Sequence, residues 1–376
     1  MISLLNSFTS TLTSIGYILI AIAFLMVMIT IHELGHYTAG KIFKFKINEF
    51  SIGFGKALYQ KTNKKTGEKF AIRIFPLGGY CAFEGEDETS EVQGSFNSMA
   101  WWKRLIVLFS GAFFNFLSAI LISIFVIMFI GDGTTKITEV YTFDNYNNPN
   151  YSIVESVDYL QEGDIILKVN GKKPTFLNGG IKGIKEDETT ADLVVLRDGE
   201  ELKITITKFI CPDYIDENGN PVVNDFGKIE TSMKFGINQE YVKFSFGEAL
   251  LKCIPFTLTM AWECLVLIFQ LFTGQLSLKN AGGTITTISA VANATQQNIL
   301  NLLLFFPVIA VNLAVFNWLP LPALDGGRML FVIIEAIRRK PIDRKLEGKI
   351  HTIGLLLLFG FVIIIDILQL FVFKGV

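Results

Sequence analysis

The sequence Ile29-Thr30-Ile31-His32-Glu33-Leu34-Gly35-His36 ends a long uncharged segment, since residues 1–31 contain no Asp, Glu, Lys or Arg. A helix places residues four apart on one face, so His32 and His36 can offer two imidazoles to one metal ion. Glu33 lies beside them, where a carboxylate can polarise a metal-activated water. Ionisable groups at membrane depth cost roughly 2.5 kcal/mol or more each, which favours a metal site over a chance match.

A secretory signal peptide is the alternative interpretation of this N-terminal segment. Its start carries no positive charge, its uncharged stretch is long for a signal-peptide core, and no small-x-small cleavage site follows clearly. We therefore interpret it as a membrane span, roughly Ile15 to Thr38.

The composition is that of a polytopic membrane protein with some water-exposed mass. Of 376 residues, 51% are hydrophobic and only 18% are charged. The lipid bilayer is therefore an expected partner. The net charge of −2 argues against a nucleic-acid partner.

Four membrane-spanning helices are predicted. They cover Ile15 to Thr38, Leu105 to Ile130, Ile299 to Leu324 and Ile353 to Phe373. Basic residues crowd the loops 39–104 and 328–349, which the positive-inside rule places in the cytoplasm. Both termini and region 131–298 then lie outside the cytoplasm.

The segment Phe244 to Gly274 is apolar but is interrupted by charged residues and a proline. A third metal ligand must reach the depth of the two histidines, and Asp325 reaches it only if the span before it also runs from outside to inside. That direction requires segment 244–274 not to cross, so we interpret it as an amphipathic helix on the outer face. His351 is the only other histidine and is either a ligand or a membrane-edge residue.

The passage from Asn312 to Gly327 breaks a helix at membrane depth, with Pro320, Pro322 and a Gly pair. Irregular backbone is tolerated there only where protein or a water cavity satisfies it. Taken alone, the passage could equally be a loop past the membrane with Asp325 as a helix cap.

Together these passages resemble the site-2 protease family of intramembrane zinc metalloproteases, in its bacterial branch similar to regulator-of-sigma-E proteases. The resemblance covers most of the chain. It rests on the His-Glu-Leu-Gly-His motif, Phe50-Ser51-Ile52-Gly53-Phe54-Gly55, Pro76-Leu77-Gly78-Gly79-Tyr80, Trp101 with Arg104, Asn317 to Gly327 and Glu335-Ala336-Ile337-Arg338. In the second span Gly111 and Asn115 match the family pattern, whereas Ala112 replaces its proline. Ala281-Gly282-Gly283 stands where the family has Ser-Gly-Pro.

The resemblance implies the site and the activity. His32, His36 and Asp325 would bind Zn²⁺, Glu33 would be the general base, and Asn317, Pro320 and Pro322 would help to receive the substrate. The activity would be zinc-dependent hydrolysis within transmembrane segments of single-pass proteins, including anti-sigma factors and signal-peptide remnants, in regulated intramembrane proteolysis. The substrates would already have lost their outer domains. The enzyme would be a multi-pass protein of the bacterial inner or plasma membrane, with its active site toward the cytoplasm.

Two β-structures are expected beside the helices. Leu160 to Gly171 and Val194 to Thr207 combine strand-like alternation with Asp-Gly and Asn-Gly turns. They resemble one extracytoplasmic PDZ domain, although Asn145 to Asn150 replaces the expected Gly-Ser-Pro-Ala segment; a β domain without a ligand is the alternative. Phe70 to Phe75, after a turn at residues 64–67, predicts a membrane-associated β-hairpin that either pairs with substrate or is an ordinary surface hairpin.

The predicted fold is thus a polytopic α-helical membrane protein with an inserted PDZ-like β domain. Its regions are a first membrane part (1–130), the PDZ-like domain (131–242), an interfacial helix region (243–298) and a second membrane part (299–376). A transporter or channel that relays protons through buried His, Glu and Asp is one rival interpretation. A catalytically inactive scaffold that presents the PDZ-like domain is the other.

Overall fold

The structure is a computed structural model. It describes residues 2–86, 92–140, 160–175, 180–184, 188–212, 231–235, 237–275 and 282–373. The chain divides into two compact units, residues 1–123 with 253–376, and residues 124–252.

Seven α-helices occur in the described ranges. They are α1 (Ile2–Ile42), α2 (Trp101–Phe129), α3 (Phe246–Phe272), α4 (Thr284–Gln297), α5 (Asn301–Trp318), α6 (Asp325–Arg338) and α7 (Arg344–Ile367). Five described segments are long and apolar enough to cross a membrane, namely Thr13–Ile42, Trp101–Phe129, Phe246–Phe272, Asn301–Trp318 and Arg344–Val372. By length and composition, α3 could therefore be a fifth membrane span. The count of four spans made from the sequence stays a prediction.

Helices α1 and α5 run in the same direction. The rings of Phe24 and Phe306 pack edge to face with centroids 5.8 Å apart. Further along both segments, His32 meets Asp325, which follows the C-terminal end of α5. The two elements therefore approach the site side by side.

Helix α2 runs opposite to α1. The ring of Phe43, just after α1, lies 5.6 Å from that of Trp102 at the start of α2, and His36, earlier on α1, contacts the carbonyl of Val107, later on α2. The close approach depends on glycine, because a methyl group on Gly35 would overlap the Ser110 carbonyl oxygen.

A β-hairpin joins α1 to α2. Strand β1 (Ile47–Thr62) pairs antiparallel with β2 (Lys69–Phe83), and the irregular register lets the first half of β1 face both ends of β2. Apolar residues from the hairpin, α1, α2 and α6 share one core, formed by Ala39, Phe45, Ile47, Phe83, Phe96, Val107, Leu108 and Val332. The hairpin is confirmed and is longer than the sequence predicts.

The second unit contains a five-stranded sheet in the order β6-β5-β4-β3-β9. Its strands are β3 (Thr135–Val140), β4 (Ile165–Val169), β5 (Thr190–Arg197), β6 (Glu200–Thr207) and β9 (Ile237–Tyr241). A separate pair joins β7 (Phe209–Pro212) to β8 (Thr231–Lys234).

The predicted Asn-Gly and Asp-Gly turns are present in this unit, with positive φ at Asn170, Gly171, Asp198 and Gly199. Residues 145–150 and Ala281 lie outside the described ranges. The PDZ identity and the exact domain boundaries stay predictions.

Candidate metal centre

Three predicted ligands meet at one point between α1 and the start of α6. Asp325 Oδ2 lies 3.0 Å from His32 Nε2 and 3.2 Å from His36 Nε2. The two Nε2 atoms are 3.1 Å apart. Both imidazoles are buried, and Asp325 is largely shielded from solvent. Two imidazole nitrogens and one carboxylate oxygen form the ligand set of catalytic zinc sites, which keep a fourth position open.

The His36 ring is held on the side away from this point. Its Nδ1 lies 2.8 Å from the carbonyl oxygen of Val107 on α2, within hydrogen-bonding distance. With Nδ1 donating, the lone pair is left on Nε2, the atom that faces the other two ligands. The sequence contains no signal for this partner, because it is a main-chain carbonyl.

Helix α2 leaves room for both imidazoles through Gly111. A methyl group at this position would overlap His36 Nε2 and would lie 2.9 Å from His32 Cε1. The family pattern includes this glycine, and the structure gives its physical reason.

An irregular loop connects the end of α5 at Trp318 to Asp325, the first residue of α6. Ala323 adopts a left-handed backbone with φ 78°, and its N–H donates to His351 Nδ1 at 3.0 Å. Gly354 of α7 packs directly on Pro322, where a methyl group would lie 2.9 Å from the proline carbonyl carbon. His351 is thus absent from the described three-ligand cluster and instead fixes the loop.

Glu33 lies on the hairpin side of α1 and is partly exposed. A methyl group on Gly79 of β2 would lie 3.4 Å from its Cγ atom. The carboxylate therefore stands between the histidine motif and one segment of the hairpin.

The predicted substrate residues lie just before Asp325. The Asn317 amide donates to the Leu313 carbonyl in its own helix at 2.9 Å. Pro320 and Pro322 lie in the loop between α5 and α6. These residues are close to Asp325 in the sequence. Their role in substrate binding stays a prediction.

Glu335 takes no part in the metal centre. Its carboxylate accepts from Arg104 at 2.8 Å, pairs with Arg344 at 2.6 Å and accepts the Ile342 N–H at 2.9 Å. The Arg104 and Glu335 motifs of the sequence are thus two halves of one buried ion pair, 231 residues apart in the chain.

A cavity of about 440 Å³, lined by both polar and apolar residues, adjoins the loop that carries Asp325. Its walls include Arg104, Arg328, Arg344, Ala323 and His351.

Asp366, near the other end of α7, is buried and accepts the Ile285 N–H at 3.1 Å, so it contributes to the start of α4.

These apolar helices and a two-histidine, one-carboxylate centre define a multi-pass membrane zinc metalloprotease. The sequence profile described as Peptidase family M50 matches residues 20–361, and the chain belongs to this family.

Relatives support the same class. A protein of Fusobacterium nucleatum named "Putative zinc metalloprotease" is 33% identical over 360 residues, covering 93% of this chain and 97% of the relative. A Clostridium perfringens protein of the same description is 29% identical, with 93% and 97% covered. One from Nostoc is also 29% identical, with 91% and 93% covered.

Proposed function

We propose that this zinc metalloprotease hydrolyses peptide bonds inside the transmembrane segments of single-pass membrane proteins. The observation that carries the proposal is the convergence of His32, His36 and Asp325 between apolar helices, with Glu33 one residue from a ligand. An enzyme that cleaves soluble peptides would not need its metal ligands between membrane-spanning helices. Substrates whose outer domains have already been removed suit it best, and these would include anti-sigma factors or signal-peptide remnants.

The three ligands would hold Zn²⁺, which supplies Lewis-acid activation of water and of the scissile carbonyl. The Glu33 carboxylate accepts a proton from the attacking water as its oxygen bonds to the carbonyl carbon. Glu33 then returns that proton to the amine as the C–N bond breaks. Burial of both imidazoles limits competing solvent around the reacting groups.

The hairpin offers a means of holding an unwound substrate. A transmembrane helix satisfies its peptide groups internally, so unwinding it in the membrane exposes groups that need new partners. Segment 79–83 of β2 pairs with residues 47–52 of β1, and its Gly79 lies against Glu33. A substrate strand added along this segment would lie beside the general base.

Water can approach from the cytoplasmic side in this proposal. The cavity reaches Ala323, two residues before Asp325. Its walls include Arg104, Arg328 and Arg344, from the loops that the positive-inside rule assigns to the cytoplasm. The extracytoplasmic β domain would then screen substrates, either by binding a peptide or by excluding large outer domains.

The decisive experiment compares wild type with Glu33→Gln on a model transmembrane peptide in proteoliposomes, with zinc content measured in the same samples. We expect Glu33→Gln to retain zinc and to lose at least about 100-fold in cleavage rate. Undiminished cleavage by Glu33→Gln would rule out the assigned base. Cleavage of soluble peptides as fast as the membrane-embedded peptide would contradict the substrate class.

A further inference from the structure

The two histidines of the centre differ in the support of their outer nitrogens. His36 Nδ1 has the Val107 carbonyl at 2.8 Å. His32 Nδ1 is buried and has no hydrogen-bond partner among the described residues. Metal-binding histidines almost always donate this second N–H, and a buried donor left unpaired costs about 1–3 kcal/mol.

A second unpaired polar group lies on the neighbouring helix. The Asn115 side chain is fully buried, and neither Nδ2 nor Oδ1 has a partner in the described part of the chain. An apolar residue of similar size would avoid this cost. The buried amide of Asn115 therefore needs a hydrogen-bond partner that the described residues do not provide.

The antiparallel packing of α1 and α2 places Asn115 on the side of α2 that faces the two histidines. His36 contacts the carbonyl of Val107. Because the helices are antiparallel, His32, one turn before His36 on α1, faces residues that come after Val107 on α2. Gly111 faces both rings, because a methyl group there would overlap His36 Nε2 and would lie 2.9 Å from His32 Cε1. Cε1 joins the two ring nitrogens, so this edge of the ring faces α2. Asn115 follows one turn later on the same face of α2.

We propose that Asn115 is a positioning residue for the metal centre. Its Oδ1 accepts the His32 Nδ1–H in the zinc-loaded enzyme, after a side-chain rotation or through one bridging water. This bond fixes the tautomer that leaves Nε2 free for zinc. Both histidines then have a neutral oxygen as outer partner, Val107 O for His36 and Asn115 Oδ1 for His32.

Zinc affinity gives the first test, by competition with a chelator in detergent. Asn115→Leu should bind zinc roughly 10- to 100-fold more weakly than wild type. Asn115→Asp, which retains an acceptor oxygen, should keep most of the affinity. Leu121→Ala is the control on α2, because this side chain is exposed, and its zinc affinity should equal that of wild type.

Histidine NMR gives a second test that does not depend on a variant's folding. The chain has only three histidines, so ¹⁵N-histidine labelling yields few ring signals. In zinc-loaded wild type, His32 Nδ1 should carry a proton that exchanges slowly with solvent. An unprotonated Nδ1, or wild-type zinc affinity in Asn115→Leu, overturns the inference.

The inference rests on the proposed role of His32 as a zinc ligand, and His32→Ala tests that role separately. Full zinc content in His32→Ala contradicts the ligand assignment. Zinc loss in His32→Ala together with wild-type affinity in Asn115→Leu contradicts only the role of Asn115.

Discussion

Asp325 reaches the histidines through a loop whose backbone is held in an unfavourable conformation. Ala323 has φ 78°, a region in which non-glycine residues cost of order 1–3 kcal/mol. In this conformation the Ala323 N–H donates to His351 Nδ1 at 3.0 Å. One side chain on α7 is thus bonded to the loop that carries a ligand on α6.

Replacing His351 should therefore loosen the metal centre without removing a ligand. His351→Leu should lower zinc affinity about 10-fold, because Ala323 loses its acceptor. His351→Asn can place an amide oxygen near the position of Nδ1 and should retain most of the affinity. Zinc-to-protein ratios after dialysis against a chelator measure the effect, and equal retention by His351→Leu and wild type would contradict it.

Gly111 offers a second test at the scale of one residue. Gly111→Ala should abolish zinc binding and cleavage, because the new methyl group occupies the space of His36 Nε2. Gly360→Ala is the control, since a methyl there meets nothing within 4 Å. Metal analysis and peptide cleavage on both variants decide between a local overlap and a general intolerance of alanine.

At the scale of elements, α6 is tied to α2 and α7 by buried charge. Glu335 is 5% exposed and bonds to both Arg104 and Arg344. Removing Arg104 leaves one buried oxygen of Glu335 without its charged donor, while Arg344 and the Ile342 N–H still bond to the other oxygen. The pair thereby holds the helix whose first residue is Asp325.

Arg104→Leu should lower the free energy of unfolding by about 1–3 kcal/mol, because one buried carboxylate oxygen loses its donor. The double variant Arg104→Leu with Glu335→Leu should recover part of that loss, since it leaves no acid without its first partner. Arg338→Ala, at an exposed position of α6, serves as the control. Denaturant unfolding in detergent measures all three, and a single variant as stable as the control would contradict the prediction.

The β domain has an acid-sensitive link between the turn before β4 and the end of β5. Burial opposes ionisation of Asp164, but hydrogen bonds from Arg197 and the Gln161 N–H prevail, so its pKa is lowered. The two Arg197 contacts are both 2.7 Å. A lowered folded-state pKa contributes stability at neutral pH, and this contribution is lost as the pH falls through that value.

Hydrogen exchange of the β5 and β6 amides in the full chain should accelerate below about pH 4, after correction for the intrinsic rate. Asp164→Asn should remove this acid dependence and reduce protection at pH 7 by about 1.5–3 kcal/mol. Glu201→Gln, at an exposed position of β6, should behave as wild type. Acid dependence that persists in Asp164→Asn would assign it to another group.

At the scale of the whole molecule, the direction of α5 bears on the number of crossings. Because α1 and α5 run together and α2 runs oppositely, the chain between α2 and α5 must make an even number of crossings. If α3 crossed, α4 would have to return the chain. Its 14 residues span only about 21 Å, short of a hydrocarbon core of about 30 Å. This supports the predicted count of four crossings, with α3 on the side of the membrane where α2 ends.

Cysteine labelling in intact cells tests this topology, in a background without the native cysteines. Ser245→Cys and Gln275→Cys, at the two ends of α3, should both react with an impermeant maleimide. Lys340→Cys, in the second basic loop, should react only after permeabilisation. Protection of Gln275→Cys in intact cells with exposure of Ser245→Cys would show that α3 crosses.

The sequence by itself determined the chemistry and the broad class. The patterns that carried this conclusion are local ones, which can be recognised without any tertiary contact. They are two histidines at helical spacing, a carboxylate after a broken apolar span, and basic residues in the loops. Turn chemistry likewise predicted the Asn170-Gly171 and Asp198-Gly199 reversals, because few residues adopt positive φ readily. The hairpin was only partly predicted, since its irregular register weakens the alternation.

Only the tertiary structure decided which groups support the chemistry. Val107 supports His36 with a main-chain carbonyl, which every residue possesses, so no side-chain pattern could reveal it. His351 bonds to Ala323 across 28 residues, and Arg104 bonds to Glu335 across 231. Such partners are fixed by helix packing, which depends on the whole chain, whereas the ligands themselves are fixed by their own chemistry.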